Sequence, residues 1–501
     1  MLALELRAGR KDWTALAVLM LPVLLVAVDN TVLSFALPAI SLAFSTTGTT
    51  LLWIIDIYPL VLAGLLVAMG GLGDRFGRRR MLMLGATGFA ALSAAAAFAP
   101  NAEVLLAARA GLGVFGSMLM PATLSLIRNI FADRRQRRLA IAVWAAAFSA
   151  GAAVGPLVGG VLLEHFWWGS VFLLAVPVLA AMLVLTPLCV PESRDPNPAG
   201  VDVPSIALSV LTMLPVVYAV KNLANDGAPA VTAAAAGLGI LAGWLFTRRQ
   251  LSRPNPMLDV RLFRVRPFTG AVLVNLLAVF ALVGFLYFVS QHLQLVLGLG
   301  PLDAGMVLLP GLAITVAAGF AVVPLVPRIP AHRAVSGALL LSAGAYWMVA
   351  AAGQGAPAGT LMAAFALLGA GVGASETLSN DLILAGVPAA KAGAASAVSE
   401  TAYEVGSVFG TAVLGSILVS SYRQHIRLPA GLTPEQASAA GETLGGAINT
   451  AAALPAGTAR ALLESAFYAF DSGVAITAGI AAALMLAASA LAWWALRPQA
   501  G

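Results

Sequence analysis

The sequence predicts an all-α polytopic membrane protein with fourteen transmembrane helices and both termini in the cytoplasm. Three observations carry that expectation. Of 501 residues, 60% are hydrophobic and 10% charged, with a mean hydropathy of +0.93, values that exclude a soluble globular chain. Apolar runs long enough to cross a bilayer as helices recur along the whole sequence. Lysine and arginine gather in alternate connections: 23 of the 28 lie in the N-terminal tail, the C-terminal end and loops 73–80, 128–138, 191–202, 248–266, 327–333 and 387–391. That asymmetry places these segments in the cytoplasm. The opposite side carries Lys221, Arg423, Arg427 and Arg460, and Arg109 alone lies inside a span. The formal charge of +6 therefore reads as orientation charge, not as a nucleic-acid footprint.

The expected spans are 13–38, 51–72, 81–99, 104–128, 139–163, 170–190, 203–222, 229–247, 267–290, 304–326, 334–353, 358–386, 392–422 and 467–496. Arg7, Arg10 and Lys11 precede the first, as in a signal peptide, but the apolar run is too long for one and carries Asp29, so it is read as retained. The second span holds Trp53, Asp56 and Tyr58; Asp56, near its outer end, can also be a solvated gate residue. Between the second and third spans, Gly70-Gly71-Leu72-Gly73-Asp74-Arg75-Phe76-Gly77-Arg78 combines turn-forming glycines with an acid. Asp74 can accept from an arginine or a helix N-terminus and latch one conformation. Orientation charge alone explains the arginines but not Asp74 and Gly77.

In the fourth span, Arg109 precedes Gly113 and Gly116. An arginine at that depth costs about 2.5–3.5 kcal/mol on insertion scales, so a partner or a cavity is expected. The fifth span carries Gly151, Gly155, Pro156, Gly159 and Gly160. Glycines spaced by four let another helix approach at backbone distance, and the proline removes one backbone donor and bends the helix. The long loop 423–466 contains Thr433-Pro434-Glu435-Gln436, a capping box with a first-turn proline, and predicts a short external helical hairpin.

Six acids lie within spans: Asp29, Asp56, Glu376, Asp381, Glu400 and Glu404. No lysine is expected inside the membrane to neutralise them. Such carboxyls can exchange protons and attract cations, and competition between the two is the simplest chemistry of antiport. Glu400 and Glu404 share one helical face about 6 Å apart, so the two are expected to hold at least one proton between them. Glu376 and Asp381 can pair with arginine or backbone, and Asp381 can instead join Ser379 and Asn380 in a helix-end cluster. Asp303 reaches only the edge of the tenth span. Trp53, Tyr58, Trp144, Phe148, Phe285, Tyr287, Phe288 and Tyr403 can stack on flat or quaternary cations or can serve as packing. Trp144 and Tyr403 are the preferred pocket candidates.

Four of these stretches carry a resemblance. Gly151 to Gly160 looks like the fifth-helix motif G-x-x-x-G-P-x-x-G-G of major facilitator antiporters. Gly70 to Arg79 matches that superfamily's loop signature G-x-L-x-D-R-x-G-R-[RK]. Arg109 to Gly113 resembles R-x-x-Q-G, linked there to proton transfer, with Leu112 in place of the glutamine. Asp29 to Pro38 resembles the first-span signature of fourteen-span drug:proton antiporters, with Val28 and Ser34 departing from it. With Pro191 to Pro198 and Ser399 to Glu404, the chain is similar to bacterial quaternary ammonium, dye and fluoroquinolone exporters of the actinobacterial type.

The resemblance implies a major facilitator fold of six plus two plus six helices. Residues 1–190 and 267–501 form the halves, with 191–266 between them. It implies alternating access about a midplane site, with Asp29, Asp56, Arg109, Glu400 and Glu404 in proton coupling. Asp29, Trp53, Tyr58, Trp144, Phe148, Glu376, Glu400, Tyr403 and Glu404 would meet the substrate. Expected partners are amphipathic drugs, protons and lipid, with no nucleic acid and a monomeric working unit. A dedicated exporter of a self-made antibiotic or metabolite, and a channel or sensor on the same scaffold, are the alternative readings. The sequence has no phosphate-binding G-x-x-x-x-G-K-[ST], no H-E-x-x-H and only one cysteine, Cys189. No cofactor, metal site or catalytic residue is expected, and the proton gradient is the expected energy source. The four histidines, His165, His292, His332 and His425, fall at expected span ends or in loops.

Overall fold

The computed structural model describes residues 8–44, 46–194, 202–223, 228–253, 256–325, 328–385 and 392–497. Residues 195–198 of the proline-rich run and the basic loop 387–391 lie outside the described residues. Every regular element among those described is helical, and fourteen helices are long and apolar enough to cross a membrane. The first four crossings are α1 (Arg10–Phe44), α2 (Gly48–Phe76), α3 (Arg78–Ala97) and α4 (Ala102–Ile130). The fifth is α5 (Arg134–His165), and the sixth is broken into α6 (Ser170–Leu173) and α7 (Ala175–Cys189). Next come α8 (Val203–Leu223) and α9 (Pro229–Ser252). Then α10 (Arg266–Gln291) continues through a π turn, His292–Val296. It is followed by α11 (Pro301–Val322), α12 (Ala331–Ala352) and α13 (Ala358–Ala385). The thirteenth crossing runs from α14 (Ala392–Phe409) through a second π turn, Gly410–Gly415, into α15 (Ser416–His425). Two short helices, α16 (Pro434–Glu442) and α17 (Leu444–Ala452), precede α18 (Ala456–Ala495).

Side-chain caps explain several starts. Thr47, Asn101 and Asp133 each accept from the backbone N–H three residues on, satisfying a donor that no helical carbonyl can reach. Thr433 and Gln436 close the expected capping box of α16. The helices overrun the hydropathy-based limits where polar residues continue the helical ladder. At 40 residues, α18 is about 60 Å long, roughly twice the hydrocarbon thickness.

The glycine face of α5 is occupied as its spacing requires. A Cβ on Gly151 would lie 2.7 Å from the Leu24 carbonyl of α1, and one on Gly159 would lie 2.6 Å from Val32 Cγ2. Gly160 and Pro156 face the other way, against Leu302 and Gly305 of α11. α8 and α9 pack on each other through Gly239, whose Cβ would lie 3.0 Å from the Thr212 carbonyl. Ser209 of α8 ties the pair to α2 by donating to the Gly64 carbonyl, 3.3 Å. The outer faces of this pair, with Ile240, Leu241 and Trp244, are exposed and apolar, as a lipid-facing surface must be.

An even number of crossings among the described residues puts the start of α1 and the close of α18 at the same end of the bundle. Contacts between α1–α7 and α10–α18 gather at the other end. Besides the α5–α11 contact, Gly48 meets Val419, and Gly415 meets Leu52. Gln294 donates to the Phe35 carbonyl (3.2 Å) and Asn449 to that of Leu42 (2.8 Å). The seam is closed at that end.

Candidate functional site

Pro59 interrupts the backbone ladder of α2, since it has no N–H to offer the carbonyl of Ile55 four residues earlier. Arg109 of α4 supplies the missing donor: Nη2 reaches the Ile55 carbonyl (3.5 Å), and Nε donates to that of Ile54 (3.2 Å). Its Nη1 lies 2.9 Å from Asp29 Oδ2 of α1, and its guanidinium stacks 4.6 Å from the Tyr58 ring centroid. Gly113 and Gly116 permit this crossing, because a Cβ on Gly113 would stand 2.7 Å from the Tyr58 carbonyl. Arg109 is 2% and Asp29 9% exposed. The arginine that stood alone in the sequence is thus the hub of α1, α2 and α4. Leu112, at the glutamine position of the motif, is buried packing.

Three expectations are corrected at Asp56. It is fully buried, not a solvated gate residue. A lysine does neutralise it: Lys221 of α8, 1% exposed, places Nζ 2.8 Å from Asp56 Oδ2. Sequence position near a span end suggested an interfacial lysine, but α8 lies against α2 and carries the ammonium inside. Trp53, expected to stack on a cargo, stacks on this ammonium instead, 4.0 Å from the ring centroid. Tyr58 is likewise covered by Arg109. Both rings therefore meet an internal cation.

The acids of the later helices are different. Among the described residues, Glu376 of α13 and Glu400 and Glu404 of α14 have no ion-pair partner. Glu404 is buried with Oε2 unpartnered, and Asn30 of α1 faces it. Glu376, Glu400, Tyr403, Trp144 and Phe148 are half-buried. Trp144 and Phe148 of α5 stack at 6.3 Å with planes 12° apart, and Tyr403 meets Phe148 edge-on at 5.5 Å. Trp144 Nε1 is fixed by Thr123 Oγ1 at 3.1 Å. The preferred pair, Trp144 and Tyr403, is therefore joined across the seam through Phe148. Among the described residues Asp381 is exposed and does not join Ser379 and Asn380 in a cluster: Asn380 contacts Ser399, and Ser379 donates to the Glu376 carbonyl. Phe285 and Phe288 pack with Tyr346 in a buried aromatic cluster away from these acids.

In the α2–α3 turn Asp74 accepts from an arginine, as expected, and the turn has a further partner that sequence reading missed. Gly77 adopts φ +109°, a region left to glycine, and its absent Cβ leaves room for Glu192, 2.9 Å away. Asp74 accepts from Arg78 Nη2 (2.7 Å) and Nε (2.9 Å). The segment after α7 docks here: Arg78 N donates to the Ser193 carbonyl (2.8 Å), and Arg79 N to Glu192 Oε1 (3.0 Å). Arg75 stays outside, over Phe76.

One histidine also departs from expectation. The π turn carries α10 past its expected end and buries His292, 2% exposed, with Nδ1 2.9 Å from Asp471 of α18. Asp471 Oδ2 accepts from Gly355 N at 2.7 Å, and His292 Nε2 faces the Ala356 carbonyl at 3.0 Å.

Comparison with known proteins agrees with this architecture. The sequence profile described as Major Facilitator Superfamily matches residues 19–411. The chain is 58% identical to the multidrug efflux pump LfrA of Mycolicibacterium smegmatis over 98% of its own length and 97% of that protein. It is 37% identical to the methyl viologen resistance protein SmvA of Salmonella typhimurium, covering 97% and 98%. A bacterial homologue of the human lysosomal transporter Spinster superposes with a TM-score of 0.65 at 17% identity, over 99% of this chain and all of that one, a likeness of fold alone. Fourteen apolar helices, the paired buried charges and the family match together place this chain in the Major Facilitator Superfamily, as a multi-pass transporter of the bacterial inner membrane.

Proposed function

We propose that this transporter is a proton-driven exporter of amphipathic, often cationic drugs, with both termini in the cytoplasm. The observation that carries the reading is the set of three carboxylates without internal cations, Glu376, Glu400 and Glu404, beside the ring series Trp144–Phe148–Tyr403. Aromatic faces and unneutralised carboxylates are what a quaternary ammonium compound, a dye such as ethidium or a fluoroquinolone needs. The relatives named for multidrug efflux and methyl viologen resistance support export as the direction.

In this reading α1–α7 and α10–α18 are the two halves, with α8–α9 between them, and they rock about the acid cluster. Cargo enters from the cytoplasm or inner leaflet while the opposite end is closed. Protons arriving from outside neutralise Asp29 and one or more of Asp56, Glu400 and Glu404, and so reset the carrier. A proton on Asp29 removes the charge that holds Arg109, which couples protonation to the α1–α2–α4 junction. The proton gradient serves as the energy source without a cofactor.

The test is ethidium movement in everted vesicles under an imposed pH gradient, native against Asp29→Asn. The expected result is native uptake that collapses with a protonophore and is lost in the variant. A native protein indifferent to both gradient and ethidium would remove the broad cation-exporter reading, and a dedicated metabolite becomes the next substrate class to assay.

A further inference from the structure

The contact between Lys221 and Asp56 sits where three parts of the chain converge. A small hydrophobic cluster, separate from the main core, is built from Leu60 of α2, Val217 of α8, and Val408 and Ala412 of α14 and its π turn. Trp53, Met213, Val220 and Phe409 pack around it, again from α2, α8 and α14. The central helix α8 therefore touches the α1–α7 set and the α10–α18 set at once. The ion pair lies in the same junction, with Thr411 of the π turn facing Asp56. Arg109 of α4 and Tyr287 of α10 are the other titratable groups within electrostatic reach of the carboxylate.

We infer that α8 is a strap across the seam and that Lys221 is a positioning residue, clasped on Asp56, that keeps this end of the transporter closed. The inference rests on the reading of the chain as an alternating-access exporter. Opening this end separates Leu52 from Gly415 and Gly48 from Val419, contacts now tighter than a single added Cβ would allow. α8 cannot stay packed on both sets through that motion, so it must release one of them. Which one is released is set by where its ammonium is held. A buried ammonium needs a carboxylate, and Asp56 of α2 is the one it has. Lys221 therefore fixes α8 to the first set of helices and leaves the apolar contact with Val408 and Ala412 as the face that parts. The lysine also keeps Asp56 filled with a resident cation. Cargo is thereby directed to Glu376, Glu400 and Glu404, and the two classes of acid do not compete for it.

The test is a distance measurement by spin labelling, on Phe166→Cys and Leu428→Cys in a Cys189→Ser background in nanodiscs without drug. Both labelled positions are exposed, at the closed ends of the two sets. The native lysine is expected to give one short distance. Lys221→Met is expected to add a longer, open population, raised about tenfold or more over native. Lys221→Arg, which keeps the charge, should restore the short distance. A role in folding alone would lower the melting temperature of Lys221→Met without moving the distances, and that result overturns the inference. If Lys221→Met does not fold, the exchange Asp56→Lys with Lys221→Asp keeps the pair. It should give the short distance, and an open population in it overturns the inference equally. Because no drug is present, a protein that fails to move ethidium but opens in Lys221→Met refutes the substrate reading and leaves the strap standing.

Discussion

Gly151→Ala offers the sharpest test of how α1 and α5 are joined. The added Cβ would stand 2.7 Å from the Leu24 carbonyl oxygen and 2.8 Å from Ala27 Cβ. Ordinary contacts are about 3.3 Å or more for carbon to oxygen and about 3.5–4.0 Å for carbon to carbon. Neither neighbour can rotate aside, since one is backbone and the other a lone methyl. α1 must therefore retreat by about 0.6–1 Å, and overpacking of this kind costs about 1–3 kcal/mol. Asp29 lies two residues beyond Ala27, so the same displacement disturbs its 2.9 Å contact with Arg109. Melting of the purified protein and ethidium flux in proteoliposomes should both fall in Gly151→Ala. Gly337→Ala in α12 is the matched control, for nothing lies within 4 Å of its added Cβ. It should be neutral or stabilising by up to about 1 kcal/mol. A Gly151→Ala protein that melts and transports like the native one, or a Gly337→Ala protein that loses as much, would refute the close-approach argument.

Three further outcomes are expected. Arg109→Met leaves Asp29 buried without its cation and should destabilise by about 3–5 kcal/mol; adding Asp29→Asn should recover much of the melting temperature but no transport. Gly77→Ala forces a side chain into φ +109° against Glu192, a strain of about 1–3 kcal/mol. It should free the segment after α7, read as faster tryptic cleavage at Arg194. Asp202, before α8, is held down at about 2 chiefly by its hydrogen bonds from Arg249. Its contribution is full above the ordinary carboxylate value of about 3.9 and is lost as pH falls toward about 2. The melting difference between native and Asp202→Asn should be steady near neutral pH and shrink on acidification below about pH 4.

Where the sequence was read by local periodicity, it was read well. Glycines spaced by four at 151, 155 and 159 determine a face without reference to any other helix, and α1 occupies it. Thr433 and Gln436 cap α16 for the same local reason. Partners are another matter. Asp29 and Arg109 are separated by 80 residues, and nothing in either helix says which of its faces meets the other. Lys221 precedes a polar stretch and so looked interfacial; only the packing of α8 on α2 shows it buried. His292 looked like a loop residue because hydropathy falls there, yet the π turn keeps the backbone helical and the ring inside. One signal was available in advance: Pro59 announces a carbonyl on Ile55 with no helical donor, and Arg109 is the cation that answers it.

The unequal treatment of the acids has an electrical consequence. Asp29 with Arg109, and Asp56 with Lys221, are neutral as units until a proton binds, so without a proton moving them across the membrane field does no net work. Glu376, Glu400 and Glu404 carry no fixed counter-charge, and the charge of the central space is set by whatever occupies it. One elementary charge carried through the full potential is worth about 2.3 kcal/mol per 100 mV. If one proton replaces one univalent cation, the space carries the same charge on both legs, and turnover answers to the pH difference alone. If two protons replace that cation, a net charge crosses and the membrane voltage adds its own drive. A current recorded with the pH difference clamped at zero would then count how many protons, on Asp29 and the other acids together, are exchanged for each cation in a turnover.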